Sequence, residues 1–228
     1  MREGVAGFLD LASRLIGTNR FVEQWRHVRT PAEQEANTGL DIIAQPEEFY
    51  RFLRSTGDDD TFFTIETTAE SAAIPKPDPR YYTASLGYSG GTTRFMNNQL
   101  SFLGRNYVDP PEHTLTLQEW INVITQIVAW RTPLFVAVGS RNYPIYDAVF
   151  DHRAWPGWMA WFPTRIDPQS LPGYALTFNI GPGTLVARQE TNVITTDSAQ
   201  VERAKEVEIA LAQMGVLPTQ DELIGRDL

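Results

Sequence analysis

Five residues, Gly87-Tyr88-Ser89-Gly90-Gly91, match G-x-S-x-G, the elbow that presents a serine nucleophile between a strand and a helix. Asp147, Asp151 and His152 follow Ser89 in the chain order of a hydrolase triad. The local context argues otherwise. The segment after the glycines, Thr92 to Met96, is β-like and carries no helical stripe, and no H-G-G-G-type oxyanion loop precedes it. A glycine-rich hairpin turn is the simpler expectation for residues 87–91, and a serine esterase built on Ser89 stands only as an alternative. His27, His113 and His152 are scattered, and no cysteine is present, so neither thiolate chemistry nor a helical metal motif can be assembled. Asp147 and Asp151, spaced by one helical turn, fit a solvated helix face better than a cation site. No dinucleotide fingerprint or phosphate-cradling loop occurs. The expectation is therefore no catalytic residue, no metal and no cofactor.

What remains is surface chemistry. The net charge is −9 in 228 residues, and it is unevenly spread. Residues 31–80 hold 11 acidic and 4 basic side chains, and residues 190–228 hold 8 and 3. Only two lysines are present, which speaks against nucleic acid as a ligand, because phosphate binding needs clustered basic groups. Such an acidic flank suits either plain solubility or a basic partner. Within it Glu47 and Glu48 begin a helix, and Asp58, Asp59 and Asp60 lie in a turn-prone loop. Aromatic side chains this dense are usually core, but Trp155 and Trp158 flank Pro156-Gly157 at a strand entry, and either is a candidate for a partly exposed interface anchor. These seven residues are the candidate binding set.

The elements that must hold them are legible in the spacing. Val5, Phe8, Leu9, Ala12, Leu15 and Ile16 form one stripe of an amphipathic helix over residues 4–16. Thr30-Pro31-Ala32-Glu33 and Gln45-Pro46-Glu47-Glu48 read as helix starts. Thr116 with Glu119 makes a capping box for a helix to Arg131. Leu134–Val138 is apolar enough for a central strand. Trp158–Phe162, Tyr174–Ile180 and Thr184–Arg188 read as three antiparallel strands, the last two joined by Gly181-Pro182-Gly183. Asp197 caps a last helix that ends near Gly215. The order implies an α+β fold. It is expected as a single domain over residues 1–228, with one mostly antiparallel sheet of about six to seven strands and helices on one face. Residues 1–55 form its helical part, 56–80 an acidic and proline-rich loop region, and 81–228 the sheet with further helices. Glu3 and Asp10 interrupt the first apolar run, so the N-terminus does not read as a signal peptide, and no stretch is long enough to span a membrane.

Several short signatures go beyond pattern. Trp25 follows an amphipathic helix. Pro156-Gly157-Trp158-Met159-Ala160-Trp161 is followed by Leu171-Pro172, and Gly183-Thr184-Leu185-Val186 by a helix beginning near Asp197. Together these resemble the family called immunity protein fifty-two, from bacterial polymorphic-toxin systems. The resemblance implies a cytoplasmic immunity protein without catalysis. Its partner would be a cognate nuclease toxin with a restriction-endonuclease-like domain, delivered by a contact-dependent route such as type VI secretion. An immunity protein against a toxin of other chemistry is a further alternative. Residues 56–80 have no counterpart in this resemblance.

Overall fold

The computed structural model describes residues 2–36, 38–55, 62–70, 84–91, 99–104, 115–139 and 142–224. The fold is α+β, as expected. The expectation of one domain with one sheet is not matched: the chain forms two compact units, Met1–Gln126 and Ile127–Arg226, with a five-stranded and a four-stranded sheet.

In the first unit, α1 (Arg2–Leu15) buries Val5, Phe8, Leu11, Ala12 and Leu15, while Ile16 of the expected stripe stays exposed. Gly17 ends it at a φ of 72°. The chain turns back through Phe21 and Val22 into β1 (Gln24–His27). There Trp25 is fully buried, and its indole N–H donates to the Ala12 carbonyl at 2.8 Å. This bond satisfies the one polar atom of an otherwise apolar side chain and ties helix to strand. After α2 (Pro31–Glu35), β2 (Leu40–Asp41) pairs with β1, and α3 (Pro46–Ser55) buries Phe49 and Leu53. Strands β3 (Phe62–Glu70), β4 (Ala84–Gly91) and β5 (Gln99–Gly104) complete an antiparallel sheet of order β2-β1-β3-β4-β5. The hairpin turn expected at residues 87–91 is not there. Gly87 to Gly91 continue β4 and pair with Glu66 to Phe62 of β3. Glycine permits a turn without requiring one, and here a full ladder on the β3 side outweighs that freedom.

Helix α4 (Leu117–Trp130) carries the expected capping box: Thr116 N–H donates to Glu119 Oε2 at 2.8 Å, and Glu119 N–H returns to Thr116 Oγ1 at 3.3 Å. Burial pushes the Glu119 carboxyl up, but hydrogen bonds from the Thr116 and Arg20 N–H groups outweigh it and hold its pKa below the ordinary value.

In the second unit, β6 (Val136–Val138), β7 (Met159–Phe162), β8 (Leu176–Ile180) and β9 (Gly183–Ala187) pair antiparallel in the order β6-β7-β9-β8. β6 was expected to be central and is an edge strand. It keeps only three paired residues, two of them half-buried. β7 and β9 hold the centre, and every residue of both is buried. One face of them, Ala160, Phe162 and Val186, packs against Val207 and Leu211 of α6 (Ser198–Gln213) together with Ile166, Leu171 and Leu217. Asp197 caps α6, accepting from the Ala199 and Gln200 N–H groups at 3.0 and 3.3 Å. Asp197→Ala is expected to lower the urea-unfolding midpoint, because it removes the acceptor for two first-turn N–H groups. The short helices α5 (Asn142–Tyr146) and α7 (Gln220–Ile224) finish the unit.

Candidate functional site

The acidic start of α3 is held by Asp41, whose Oδ1 accepts from Ile43 and Ala44 N–H at 3.0 and 2.9 Å. Pro46 then occupies the helix start, where its missing N–H costs nothing. Glu47 and Glu48 follow in the first turn, both exposed and both favoured by the positive end of the helix. Each has an arginine nearby: Glu47 lies 3.5 Å from Arg2, and Glu48 lies 3.3 Å from Arg29. Arg29 is shared with Glu33 at 2.6 Å, and that bond holds the Glu33 carboxyl below its usual pKa. The α3 end therefore shows three carboxylates against two guanidiniums, a weaker negative patch than the sequence suggests. His27 stacks against Phe49 and Phe52 at 5.3 and 4.8 Å, so it serves packing. Asp58, Asp59, Asp60 and His113 lie outside the described residues.

The two tryptophans part company. Trp155 is half-buried and keeps some surface. Trp158 is 3% exposed, and its indole N–H donates to the Gln189 carbonyl at 2.9 Å. Its backbone joins β6 to β9 through bonds to Val138 and Arg188. It is a core side chain and not the surface anchor expected. Ser89 sits in a continuous strand, opposite Thr64 on one side and Gln99 on the other, so the sharp strand-to-helix turn of an elbow is absent there. Asp147 and Asp151 fall after the end of α5 and share no helix face, and His152 lies exposed, 3.2 Å from Asp151. Among the described residues no group of three acids and histidines could hold a metal, and no described helix is long and apolar enough to cross a membrane.

One cluster escaped the sequence reading. Glu208 of α6 is fully buried, and so is Arg188 at the end of β9. Arg188 Nη2 donates to Glu208 Oε2 at 3.2 Å. Tyr143 Oη donates to the same oxygen at 2.9 Å, and Val149 and Phe150 N–H donate to Oε1 at 3.0 and 3.3 Å. The Tyr143 ring lies across the guanidinium, 4.4 Å from Cζ, which partly compensates its desolvation. Arg188 Nε and Nη1 have no hydrogen-bond partner among the described residues. Burial pushes the Tyr143 hydroxyl pKa upward, so it remains a neutral donor.

No model of a known protein family matches the chain, and no curated protein matches it significantly.

The cluster braces the surface above it. Asp147 and Ala148 N–H both bond to the Tyr143 carbonyl, at 2.9 and 3.1 Å. With the two amides held by Glu208, the segment 143–150 is fixed along its length. It presents Ile145 and Tyr146 outward, 66% and 79% exposed, beside Val149 at 38%. The surface of this arrangement is an apolar edge on a segment held by backbone hydrogen bonds.

Proposed function

We propose that the chain is a cytoplasmic immunity protein that binds and neutralises a nuclease toxin. The observation that carries this reading is the charge: −9 overall, with 11 acidic against 4 basic side chains in residues 31–80, including the exposed Glu47 and Glu48. A nuclease must present a positive face to nucleic acid. An acidic protein steered to that face competes with the substrate for it. The resemblance of Trp25, residues 156–161 and residues 183–186 to the immunity family supports the same reading.

The experiment is direct. Where a secreted protein with a nuclease-like C-terminal domain is found encoded beside the gene, the purified protein is mixed with that domain, and plasmid cleavage is followed. Cleavage is expected to stop near one equivalent; undiminished cleavage at saturating protein overturns the proposal. Changing Glu47 and Glu48 to Gln and Asp58, Asp59 and Asp60 to Asn is expected to slow association on the order of tenfold at low salt and to flatten its salt dependence. A rate that does not change removes this flank from the encounter.

A further inference from the structure

We infer that Ile145, Tyr146 and Val149 form the contact platform for a basic protein surface, the positive face of the nuclease, so that this inference rests on the function proposed above. Exposed large hydrophobic side chains are few among the described residues, and three of them fall within these five positions. Scattered single exposures are ordinary, but a cluster on one short segment marks a contact surface. Tyr146, the most exposed of them, is of the type enriched at binding hot spots, because it brings a large area with few rotatable bonds.

The backbone beneath is already set. Tyr143 Oη and the amides of Val149 and Phe150 converge on Glu208, and the Asp147 and Ala148 amides return to Tyr143. A segment ordered before binding loses little conformational freedom on binding. A buried ion pair is a poor source of net stability, but through Glu208 this one fixes the Val149 and Phe150 amides beneath the exposed segment.

Charge decides the occupant. Asp147 and Asp151 flank the platform, and the Asp151 side chain is fully exposed. Two cations stand near: Arg153 donates to the Leu217 carbonyl, and Lys205 pairs with Glu202 at 2.9 Å and is also drawn by Asp147, so the carboxylates Asp147, Asp151 and Glu202 outnumber them by one. An apolar edge rimmed by carboxylates fits a partner whose surface is basic around an apolar hollow.

The test uses the full chain and the nuclease domain that it is found to inhibit in the cleavage experiment above. Tyr146→Ala and Ile145→Asp are each compared with wild type by surface-based kinetics and by chemical unfolding. Both are expected to raise Kd by roughly a hundredfold, mainly through faster dissociation, with the unfolding midpoint unchanged. If wild type binds and both variants bind within about twofold of it, the platform is wrong and the immunity reading stands. If wild type fails to bind or inhibit the nuclease, both fall. A wild-type dimer in sedimentation that dissociates on Tyr146→Ala assigns the platform to a second copy and overturns the inference.

Discussion

Glu208→Leu will lower stability by about 3–5 kcal/mol, because it leaves Arg188 as an uncompensated buried charge. The carboxylate is fully buried and accepts from Arg188, from Tyr143 and from two backbone amides, and leucine accepts from none of them. That figure already includes the donors left unmet, each of which costs about 1–3 kcal/mol at most once water reaches it after relaxation. Arg188→Met is expected to be milder, since Glu208 then retains its hydroxyl and two N–H donors. The double variant is the informative one. With both charges gone the desolvation cost vanishes, and the loss should fall short of the sum of the single variants by about 1–3 kcal/mol. Urea unfolding of the four proteins measures this. Losses that add to within about 0.5 kcal/mol would mean that the two side chains do not act as a pair. Hydrogen exchange supplies a second readout: the Val149 and Phe150 amides should lose protection in Glu208→Leu beyond the loss expected from global stability.

How much of this was open to reading depends on the element. Helix α4 announced itself because its apolar spacing and its Thr116–Glu119 box agree. The strands β7 to β9 and the Asp197 cap were equally plain. Pairing was not, because periodicity identifies a strand without naming its neighbour. That is why one sheet was expected where two form, and why apolar β6 was placed at the centre instead of the edge. Glycines misled at residues 87–91, where they lie inside a paired strand. Trp158 was a candidate anchor because tryptophan is favoured at hot spots and this one flanks Pro156-Gly157, yet its indole lies inward and donates to the Gln189 carbonyl.

The buried pair was hidden by its company. Glu208 stands near Glu202, Lys205 and Glu206 and passes for part of a solvated face. Its spacing from Val201, Ala204 and Leu211 puts it on the buried stripe, and that was the available signal. Arg188 gave less, since it stands one residue beyond the end of β9. Of the candidate binding residues, Glu47 and Glu48 lie in the first turn of α3, where the Gln45-Pro46 helix start implies them. Their arginine partners come from residues distant in sequence or in a preceding loop, which no local pattern reveals.

Gly183→Ala will destabilise the second unit by about 3 kcal/mol or more, at or beyond the top of the usual range for overpacking. Gly183 opens β9 opposite Ile180, after a turn whose Gly181 has a φ of 54°. A β-carbon on Gly183 would overlap the Phe162 carbonyl oxygen and lie 2.6 Å from the ring of Trp161. Neither neighbour can yield. The Phe162 carbonyl belongs to β7, which lies hydrogen-bonded against β9. Trp161 is fully buried and fixed by its indole bond to the Ile180 carbonyl at 3.1 Å. Arg165 adds to the constraint, donating to the Gly183 and Gly181 carbonyls at 2.7 and 2.8 Å. The strand would have to move away from β7, opening the most densely buried part of the unit. Gly173→Ala is the control: nothing stands within 4 Å of a β-carbon there, so its effect should stay within about 0.5 kcal/mol. Thermal unfolding separates the two glycines. A Gly183→Ala protein as stable as Gly173→Ala would mean that β9 does not approach β7 as closely as described.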